Sequence, residues 1–398
     1  MTVLSSSVRE TDAAETCIRA WPVAQRLGVT RVAETTGLDR IGIPVFSAVR
    51  PEAALVVVTA GKGRYPAEAR AGALLEAIEQ AVAEACADTT PLRWATARAL
   101  AEEDGVKLGA WCPRPDQDVD VDRPLPWITV PSADGTREFT APAELVLTPC
   151  PPQAYTGLFG STTTGLASGN SHTEAVLHGL CEVLERDVTS LMRINDTSAL
   201  ITPDTLPAGP AQLYEKIRAA GLKVWLRWVP AYGGHYMTAL IDDPDRTHPL
   251  YCNGGYGFHP WPEIAAVRAL SEAAQSRLTY IQGARDDLTD SYAVFAAMPP
   301  DERAAFRGQL LARYASPEPA AAFPARQTVP STDGPGALLT GLLEATGEAG
   351  LGPVGVHSFA PLADPFHVVR VLVAGAEHFT PYTRRFGPRL AAHAREPR

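Results

Sequence analysis

Cysteine is scarce in this chain, and its spacing excludes the two usual structural roles of the residue. Six cysteines are scattered through the 398 residues, and no two of them form a CxxC pair. A disulfide framework or a zinc site needs cysteines at closer, paired spacings, so neither is expected. A reducing, cytoplasmic location is therefore the expected one.

Long hydrophobic runs are also missing. Residues 1–16 are polar and acidic and lack the apolar centre of a signal peptide. No apolar run approaches the length that spans a bilayer, so we expect no membrane association. The formal net charge of -10 argues against a nucleic-acid surface built on bulk positive charge, and no nucleic-acid partner is expected.

The common catalytic motifs are absent as well. The sequence has no HExxH, no GxSxG elbow and no dinucleotide-binding GxGxxG after a strand. Gly61, Lys62 and Gly63 follow a predicted buried strand at Ala54–Thr59, but they lack the spacing of the P-loop GxxxxGK[ST]. We therefore predict a tight turn at these three residues.

The sequence has instead an irregular mixture of helix and strand patterns. Long amphipathic helices are predicted at Ala67–Ala87, Thr173–Leu191 and Pro262–Leu278, and strands at Lys223–Val229, Tyr236–Ile241 and Phe366–Ala374. The absence of a regular βα rhythm favours an α+β fold over a doubly wound sheet. We expect a single domain over 1–398, built as one core or as two closely packed subdomains, with an Ala/Pro-rich loop or linker at 316–336.

The three predicted helices share one frame of polar positions. Residues 66–80 align without a gap with residues 172–186, and the third helix follows the same frame. Between the first two helices, the matched positions are Glu68 with Glu174, Glu76 with Glu182 and Glu79 with Glu185. In the third helix, Arg268 matches His178, Glu272 matches Glu182 and Gln275 matches Glu185. The similarity is short, so an internal duplication and a chance coincidence of phase both remain open.

Acidic side chains of the second helix collect on one face. At about 100° per residue, the polar positions fall within an arc of about 120°, with Arg186 at its rim. These positions are Asn170, Glu174, His178, Glu182 and Glu185. A solvated acidic surface is the plain alternative for a lone ExxE. It is disfavoured because the segment from Glu174 to Arg186 contains no lysine and only one arginine.

Clustered carboxylates repel one another unless a cation lies between them. Mg²⁺ prefers oxygen ligands and is commonly held by one or two carboxylates together with substrate phosphates. Arg186, Arg268 and Arg277 would then suit phosphate oxygens, which match the guanidinium fork. His178 is the one histidine on this face, and we expect it to be a hydrogen-bond partner and not a metal ligand.

Several segments, in this order, resemble the YcaO superfamily. They are Gly28–Pro51, Gly61–Gly63, the ExxE of Glu76 and Glu79, Gly169–Asp187 and Arg268–Asp287. Together they extend the similarity over most of the chain, from Val8 to Val373. The resemblance implies a YcaO-like α+β fold with mixed sheets and long helices, which carry an ATP and Mg²⁺ site that is not a P-loop.

The resemblance also implies roles for individual residues. The metal-binding carboxylates would be Glu76, Glu79, Glu182 and Glu185. The nucleotide would be held by Arg9, Asn170, Glu174, Arg186, Arg268 and Glu272. The catalytic residues would be Arg186, Arg268, Glu272 and His178. His178 is one source of a general base, and the substrate itself is the other.

Family resemblance implies an enzyme that modifies ribosomally made precursor peptides. Such enzymes phosphorylate a backbone amide oxygen, which becomes a leaving group after a nucleophile has added to the amide carbon. A Cys, Ser or Thr side chain then gives an azoline, an amine gives an amidine, and external sulfide gives a thioamide. The expected cofactors are ATP and Mg²⁺, and the expected partners are the precursor peptide, a TfuA-like or leader-binding protein and a second copy of the chain in a homodimer.

Three departures from the family pattern bear on the subtype. Gly72 and Gln80 replace the Ser and Arg of SxxxExxER, the chain ends in HAREPR and not in PxPxP, and no fused leader-binding domain is visible. The first implies different nucleotide contacts. The other two favour a stand-alone cyclodehydratase or amidine-forming enzyme, with TfuA-assisted thioamidation as the alternative. A non-catalytic peptide-binding scaffold and a kinase or ligase with a small acceptor are the other classes considered.

Overall fold

The computed structural model describes residues 2–3, 5–117, 119–246, 248–285, 289–325, 334–380 and 383–395. The helices in these residues are α1 (Ala13–Arg26), α2 (Pro66–Cys86), α3 (Ala97–Asp104), α4 (Ala143–Val146), α5 (His172–Ile194), α6 (Ala208–Ala219), α7 (Pro262–Gln282), α8 (Thr289–Ala297), α9 (Pro300–Ala315), α10 (Pro335–Glu348) and α11 (Pro388–His393). The strands are β1 (Thr2–Val3), β2 (Val8–Arg9), β3 (Arg31–Glu34), β4 (Val45–Val49), β5 (Val58–Lys62), β6 (Arg93–Thr96), β7 (Pro124–Pro131), β8 (Glu138–Pro142), β9 (Leu166–Gly169), β10 (Ala199–Ile201), β11 (Lys223–Ala231), β12 (Gly234–Asp242), β13 (Cys252–His259), β14 (Ala320–Ala321), β15 (Val354–Ser358) and β16 (His367–Val373). The mixture confirms the α+β class.

The chain divides into two compact units. Unit 1 comprises Met1–Ala77 and Thr197–Thr332, and unit 2 comprises Ile78–Asp196 and Asp333–Arg398. The division falls inside α2, which contributes residues to both units. The expectation of a single domain over 1–398 stays a prediction.

Unit 1 is built on a five-stranded sheet of order β13-β12-β11-β10-β14, with a three-stranded sheet, β3-β4-β5, and the small pair β1-β2. Helix α7 lies directly on β13. A Cβ atom on Gly257 would stand 2.2 Å from the carbonyl oxygen of Ala265, and one on Gly255 would stand 2.2 Å from that of Ala269. Only glycine therefore permits this approach of strand to helix. Alanines and leucines of α7, with aliphatic residues of β11 and β12, form the core.

Unit 2 contains two three-stranded sheets, β15-β16-β9 and β6-β7-β8. Helix α5 packs on β9 and β16 through an apolar side that is fully buried along most of its length. Gly179 of α5 faces Val371 of β16, where an added Cβ would lie 2.7 Å from a Val371 methyl group. This packing fixes which face of α5 is left for polar side chains.

The three long helices and the strand pair at β11 and β12 confirm the sequence predictions, but the strand predicted at Ala54–Thr59 is wrong. Strand β5 is Val58–Lys62, and its register is set by pairing with β4, from Val49 opposite Val58 to Val45 opposite Lys62. The apolar residues before Val58 lie beyond the end of β4 and form turns and bends.

The tight turn predicted at Gly61, Lys62 and Gly63 is also wrong. Gly61 and Lys62 belong to β5, and a Cβ on Gly61 would lie 2.0 Å from the carbonyl oxygen of Ala69 in α2. These glycines are needed because the strand passes close to the helix backbone, which composition alone does not distinguish from a turn.

Of the Ala/Pro-rich segment predicted at 316–336, the structure describes 316–325 and 334–336. The first part includes β14, and α10 begins at Pro335; residues 326–333 lie outside the described residues. None of the helices in the described part of the chain combines the length and the apolar character that crossing a membrane requires.

Candidate functional site

The junction of β5 and α2, in unit 1, is closed by a glutamate. Gly63 follows the strand, and a Cβ there would lie 2.6 Å from the Cβ of Glu68. The Glu68 carboxylate accepts hydrogen bonds from the backbone N–H of Arg64 (3.1 Å) and from the backbone N–H (2.8 Å) and hydroxyl (2.6 Å) of Ser5. The glutamate therefore fixes the chain where it enters the helix.

The junction of β9 and α5, in unit 2, has the same construction. A Cβ on Gly169 would lie 2.6 Å from the Cβ of Glu174, and Glu174 Oε2 accepts from the backbone N–H of Asn170 (2.9 Å) and from its side-chain amide (3.2 Å). Ser171 caps the helix by accepting from the backbone N–H of Glu174. The equivalent contacts stand at aligned positions, which supports the internal duplication.

Two predicted metal-binding carboxylates of unit 2 are each hydrogen-bonded to residues at or next to strand β9. Ser168 Oγ donates to Glu79 Oε1 (2.7 Å), and the backbone N–H of Gly165, just before the strand, donates to Glu182 Oε2 (3.3 Å). Glu79 comes from α2 and Glu182 from α5. Arg186 stands one turn after Glu182, with its Nη2 3.8 Å from Glu182 Oε1. Two acids from different helices and one arginine are thus gathered within the same part of unit 2.

A buried arginine supports this pair of acids. Arg370 of β16 has no exposed surface, and it donates to the carbonyl oxygens of Val146 (3.2 Å), Thr162 (2.9 Å) and Thr164 (3.0 Å). Burial lowers the pKa of Arg370 to about 10, and the negative charges of Glu182 and Glu79 oppose that shift. Arg370 therefore stabilises the loop before β9 through hydrogen bonds and supplies a positive charge near both carboxylates.

The polar face of α5 is narrower than the sequence predicts. His178, Glu182 and Arg186 are half-buried and follow one another every four residues. Glu174 and Glu185 are buried instead, with 1% and 2% of their surface exposed. The Glu174 carboxylate is hydrogen-bonded to Asn170 at the helix entrance.

In unit 1, α7 presents Arg268 and Glu272 on one half-buried face. Lys62 Nζ binds Glu272 Oε2 at 2.6 Å, and the backbone N–H of Tyr256 donates to Glu272 Oε1 at 3.3 Å. Arg268 Nε is buried and finds no hydrogen-bond partner among the described residues. A buried guanidinium N–H of this kind suits an anionic acceptor such as a phosphate oxygen.

The expectation that Arg277 meets phosphate is wrong. Its guanidinium is 5% exposed and forms ion pairs with Asp39 (3.0 Å) and Asp243 (3.2 Å) inside unit 1. Removing either acid would leave a buried charge without its partner, so this arginine has a structural role.

The remaining predicted residues are placed without a test of their roles. Arg9 is half-buried in β2, and Glu76 is half-buried in α2, three residues before Glu79. Gly72 stands where the family has a serine, and a Cβ there would lie 3.4 Å from the Cα of Gly61. Gln80, in place of the family's arginine, is buried.

Sequence reasoning missed Lys62, Ser168 and Arg370. The available signals were a lysine between two glycines, a serine two residues before Asn170, and a lone arginine in an apolar strand. An arginine inside a buried strand is rare unless it is paired, and it marks a buried polar network.

The residues present fit Mg²⁺ and a nucleotide. Among the described residues, no three His, Cys, Asp or Glu side chains come together as a ready ligand set. Mg²⁺ needs fewer, because one or two carboxylates suffice when substrate phosphates and waters supply the other oxygens. Glu79 and Glu182 are such a pair, and each uses an oxygen of its carboxylate for the contacts at β9.

Comparisons with known proteins agree with this chemistry. The model of a family described as YcaO cyclodehydratase, ATP- and Mg²⁺-binding, matches residues 60–377. An uncharacterised protein of Methanothermobacter thermautotrophicus is 40% identical over 272 residues, which are 66% of this chain and 68% of that protein. A Rhizobium leguminosarum bv. trifolii protein, named for its place in the region 3′ of tfuA, is 36% identical over 293 residues, 69% of this chain and 68% of that protein.

A solved structure has the same fold as this chain. The structure of YcaO from Methanopyrus kandleri, bound with AMPPCP and Mg²⁺, matches with a TM-score of 0.75 and 25% identity over 96% of each chain. The predicted resemblance, fold class and cofactors are thereby confirmed. This chain belongs to the YcaO cyclodehydratase family, and it is an enzyme whose cofactors are ATP and Mg²⁺.

Proposed function

We propose that the protein activates a backbone amide of a ribosomally synthesised precursor peptide by transferring the γ-phosphoryl group of ATP to the amide oxygen. The observation that carries this proposal is that Glu79 and Glu182 both accept hydrogen bonds from residues 165–168 at β9, with Arg186 beside Glu182. Carboxylates from two helices with an adjacent guanidinium are suited to phosphoryl transfer, in which catalysis is mostly positioning and charge stabilisation.

Each side chain has a defined task in this proposal. Glu79 and Glu182 hold the cation, and Ser168 and the Gly165 N–H orient their carboxylates. Arg186 stabilises negative charge on the transferred group. When bound, ATP supplies the phosphoryl group and Mg²⁺ neutralises the charge of its phosphates.

The proposed reaction balances without a redox partner. A nucleophile of the peptide adds to the amide carbon and the amide oxygen takes the phosphoryl group, leaving ADP. Phosphate then departs with the former amide oxygen, so the peptide loses one water overall. The product is an azoline or a macrocyclic amidine. No nucleophile on the enzyme is required, which agrees with the absence of the common nucleophile motifs from the sequence.

The second candidate is thioamidation assisted by a TfuA-like protein. The relative from Rhizobium leguminosarum is named for its place 3′ of tfuA, and it shares 36% identity over 69% of this chain. In that reaction external sulfide is the nucleophile, and the amide oxygen is exchanged for sulfur.

Several residue and partner assignments stay proposals that rest on the resemblance. They are Glu76 and Glu185 as further metal ligands, Arg9, Asn170, Glu174, Arg268 and Glu272 as nucleotide ligands, and His178 as a general base. Arg268 and Glu272 are also proposed to act in catalysis. A homodimer, a leader-binding partner and a cytoplasmic location are proposed on the same ground.

Mass spectrometry of a candidate precursor peptide distinguishes the outcomes. The full chain is incubated with peptide, ATP and Mg²⁺, with and without sulfide and a TfuA-like protein. Loss of one water supports cyclodehydration, and replacement of one oxygen by sulfur supports thioamidation. Phosphorylation of a small acceptor without peptide would contradict both, and failure to bind nucleotide in calorimetry would favour a non-catalytic scaffold.

Substitution of one metal-binding carboxylate tests the site. Glu182→Gln keeps the size of the side chain but removes its charge, so we expect ATP-dependent modification to be lost while the fold is retained. The measurement is peptide conversion, with circular dichroism to confirm folding. Glu103→Gln is the matched control, because Glu103 is an exposed acid of unit 2 that pairs only at the surface with Arg93. Full activity of Glu182→Gln would overturn the assignment.

A further inference from the structure

The turn between β11 and β12, in unit 1, borders a pocket that the proposed reaction does not use. Its volume is about 580 Å³, and its walls include Trp228, Tyr232 and His235 together with Pro230 and Pro324. None of the described residues that line it carries a full charge. The volume lies within the range of about 300–1,000 Å³ that is typical of ligand pockets.

His235 gives the pocket a hydrogen-bond donor of fixed identity. The Trp228 indole N–H donates to His235 Nδ1 at 3.1 Å, so the neutral ring carries its hydrogen on Nε2. Burial lowers the pKa of His235, which is 4% exposed, and the ring stays neutral at neutral pH. Its Nε2 has no hydrogen-bond partner among the described residues. A buried donor without an acceptor is energetically costly, and a ligand with an acceptor would remove that cost.

Tyr232 is held at the pocket in a strained backbone conformation. Its φ is 50° and that of Gly233 is 66°, so the two form the tight turn between the paired residues Ala231 and Gly234. Such turns favour Asn or Gly, because the Cβ of a larger residue crowds the backbone in the left-handed region. The tyrosine ring lies 6.4 Å from the ring of Phe258. Strain of this kind is concentrated at ligand-binding positions.

We propose that this pocket binds an uncharged segment of a peptide, which places an aromatic or proline side chain against Trp228 and Tyr232 and offers a backbone carbonyl to His235. Aromatic and proline walls are typical of grooves that recognise extended peptides. Because none of the lining residues that the structure describes is charged, these walls disfavour nucleotides, phosphates and ionised side chains. Identifying the segment as part of the precursor peptide rests on the proposed function; the binding itself does not.

NMR on the full chain tests the pocket without ATP. The probe is N-acetyl-Pro-Tyr-amide, titrated into protein labelled with ¹⁵N at tryptophan, and Trp228→Phe identifies the Trp228 indole signal. We expect a saturable shift of that signal. Tyr232→Gly and His235→Phe should each weaken binding about tenfold, which corresponds to ~1.4 kcal/mol. Trp94→Phe, at an exposed tryptophan of unit 2, is the control and should bind as the natural chain does.

Tyr232→Gly also excludes a trivial explanation. Glycine accepts the left-handed conformation without strain, so this variant should unfold at the same temperature as the natural chain or higher. Weaker binding then reports the loss of the ring and not a loss of folding. No saturable shift, binding by both variants as tight as by the natural chain, or binding of N-acetyl-Asp-amide and N-acetyl-Lys-amide as tight as that of N-acetyl-Pro-Tyr-amide would overturn the proposal. Because no nucleotide is present, its failure is separate from failure of the proposed reaction.

Discussion

At the scale of single residues, Arg370 shows how a buried charge is accommodated. Its guanidinium meets three backbone carbonyl oxygens and the hydroxyl of Thr148, so its donors are used although no part of it reaches solvent. Two of those carbonyls, of Thr162 and Thr164, belong to the loop that leads into β9, where Glu79 and Glu182 accept their hydrogen bonds, and the third belongs to α4. The arginine is thus a support for the acid pair and not a ligand of the nucleotide.

Replacing this arginine should destabilise unit 2. Arg370→Gln removes donors from buried carbonyl oxygens, so we expect the free energy of unfolding to fall by about 3 kcal/mol or more. Urea unfolding followed by circular dichroism measures the change. The control is Arg137→Gln, at an exposed arginine with one long contact of 3.4 Å, which should change stability by about 0.5 kcal/mol at most. Equal stability of both variants would contradict the role of Arg370.

At the scale of elements, glycines allow β5 and β13 to lie directly on helices. Gly61 approaches Ala69 and Ala73 of α2, and Gly257 approaches Ala265 and Ala269 of α7, with the same spacing from strand to helix. Each approach places the strand end next to the first turns of the helix. The contacts of β5 with α2 and of β13 with α7 therefore fix the position of each helix, and with it the positions of its polar side chains.

A single methyl group tests this packing. Gly257→Ala would place a Cβ 2.2 Å from the Ala265 oxygen and 2.8 Å from the Arg268 Cβ, and we expect a loss of about 2 kcal/mol or more. Thermal unfolding measures it. Gly308→Ala is the matched control, because Gly308 is an exposed residue of α9 with open space around it. That change should stabilise the protein by about 0.5–1 kcal/mol. Equal effects at the two sites would contradict the close approach.

Sequence periodicity was sufficient for the long helices and for the frame of acidic positions along them. A helix buries the same face every three to four residues whatever it packs against, so Glu79, Glu182 and Arg186 can be found without knowledge of the fold. The register of β5 could not be found in this way, because it depends on pairing with β4 and on contact with α2.

Contacts between residues far apart in the sequence could not be predicted either. Arg277 looks like a free arginine until Asp39, 238 residues away, is found beside it, and Lys62 looks like a turn residue until Glu272 is found 210 residues away. Local pattern carries no information on such pairs. A charged residue in an apolar run, as at Arg370, shows only that a partner must exist.

At the scale of the whole molecule, two half-buried histidines make stability depend on pH. Burial lowers the pKa of His378 to about 3 and that of His357 to about 4, and nearby arginines add to both shifts. The ordinary value is 6.5. Between these values the unfolded chain binds more protons than the folded one, so stability falls as the pH falls below 6.5 and is fully present above it.

Urea unfolding at two pH values measures this effect. Between pH 7.5 and pH 5, each of these histidines should remove about 1–2 kcal/mol from the free energy of unfolding. His378→Gln removes one titrating group, so its loss over this interval should be smaller than that of the natural chain. The comparison within each variant controls for any change in stability that does not depend on pH. An equal loss in both chains would contradict the prediction.

The two glutamate-closed junctions also have a consequence for the order in which the enzyme is made. Each junction contains a contact between residues four apart, Arg64 to Glu68 and Asn170 to Glu174, and forming these contacts costs little chain entropy. Ser5, which also binds Glu68, has already been synthesised at that point. A chain synthesised from its N-terminus has both junctions, and the acids on α2 and α5, before Glu272 exists. Lys62 therefore cannot form its ion pair until Glu272, 210 residues later in the chain, has been synthesised. The carboxylates that we assign to the metal are therefore synthesised before Glu272 of unit 1 and before Arg370, which supports them in unit 2.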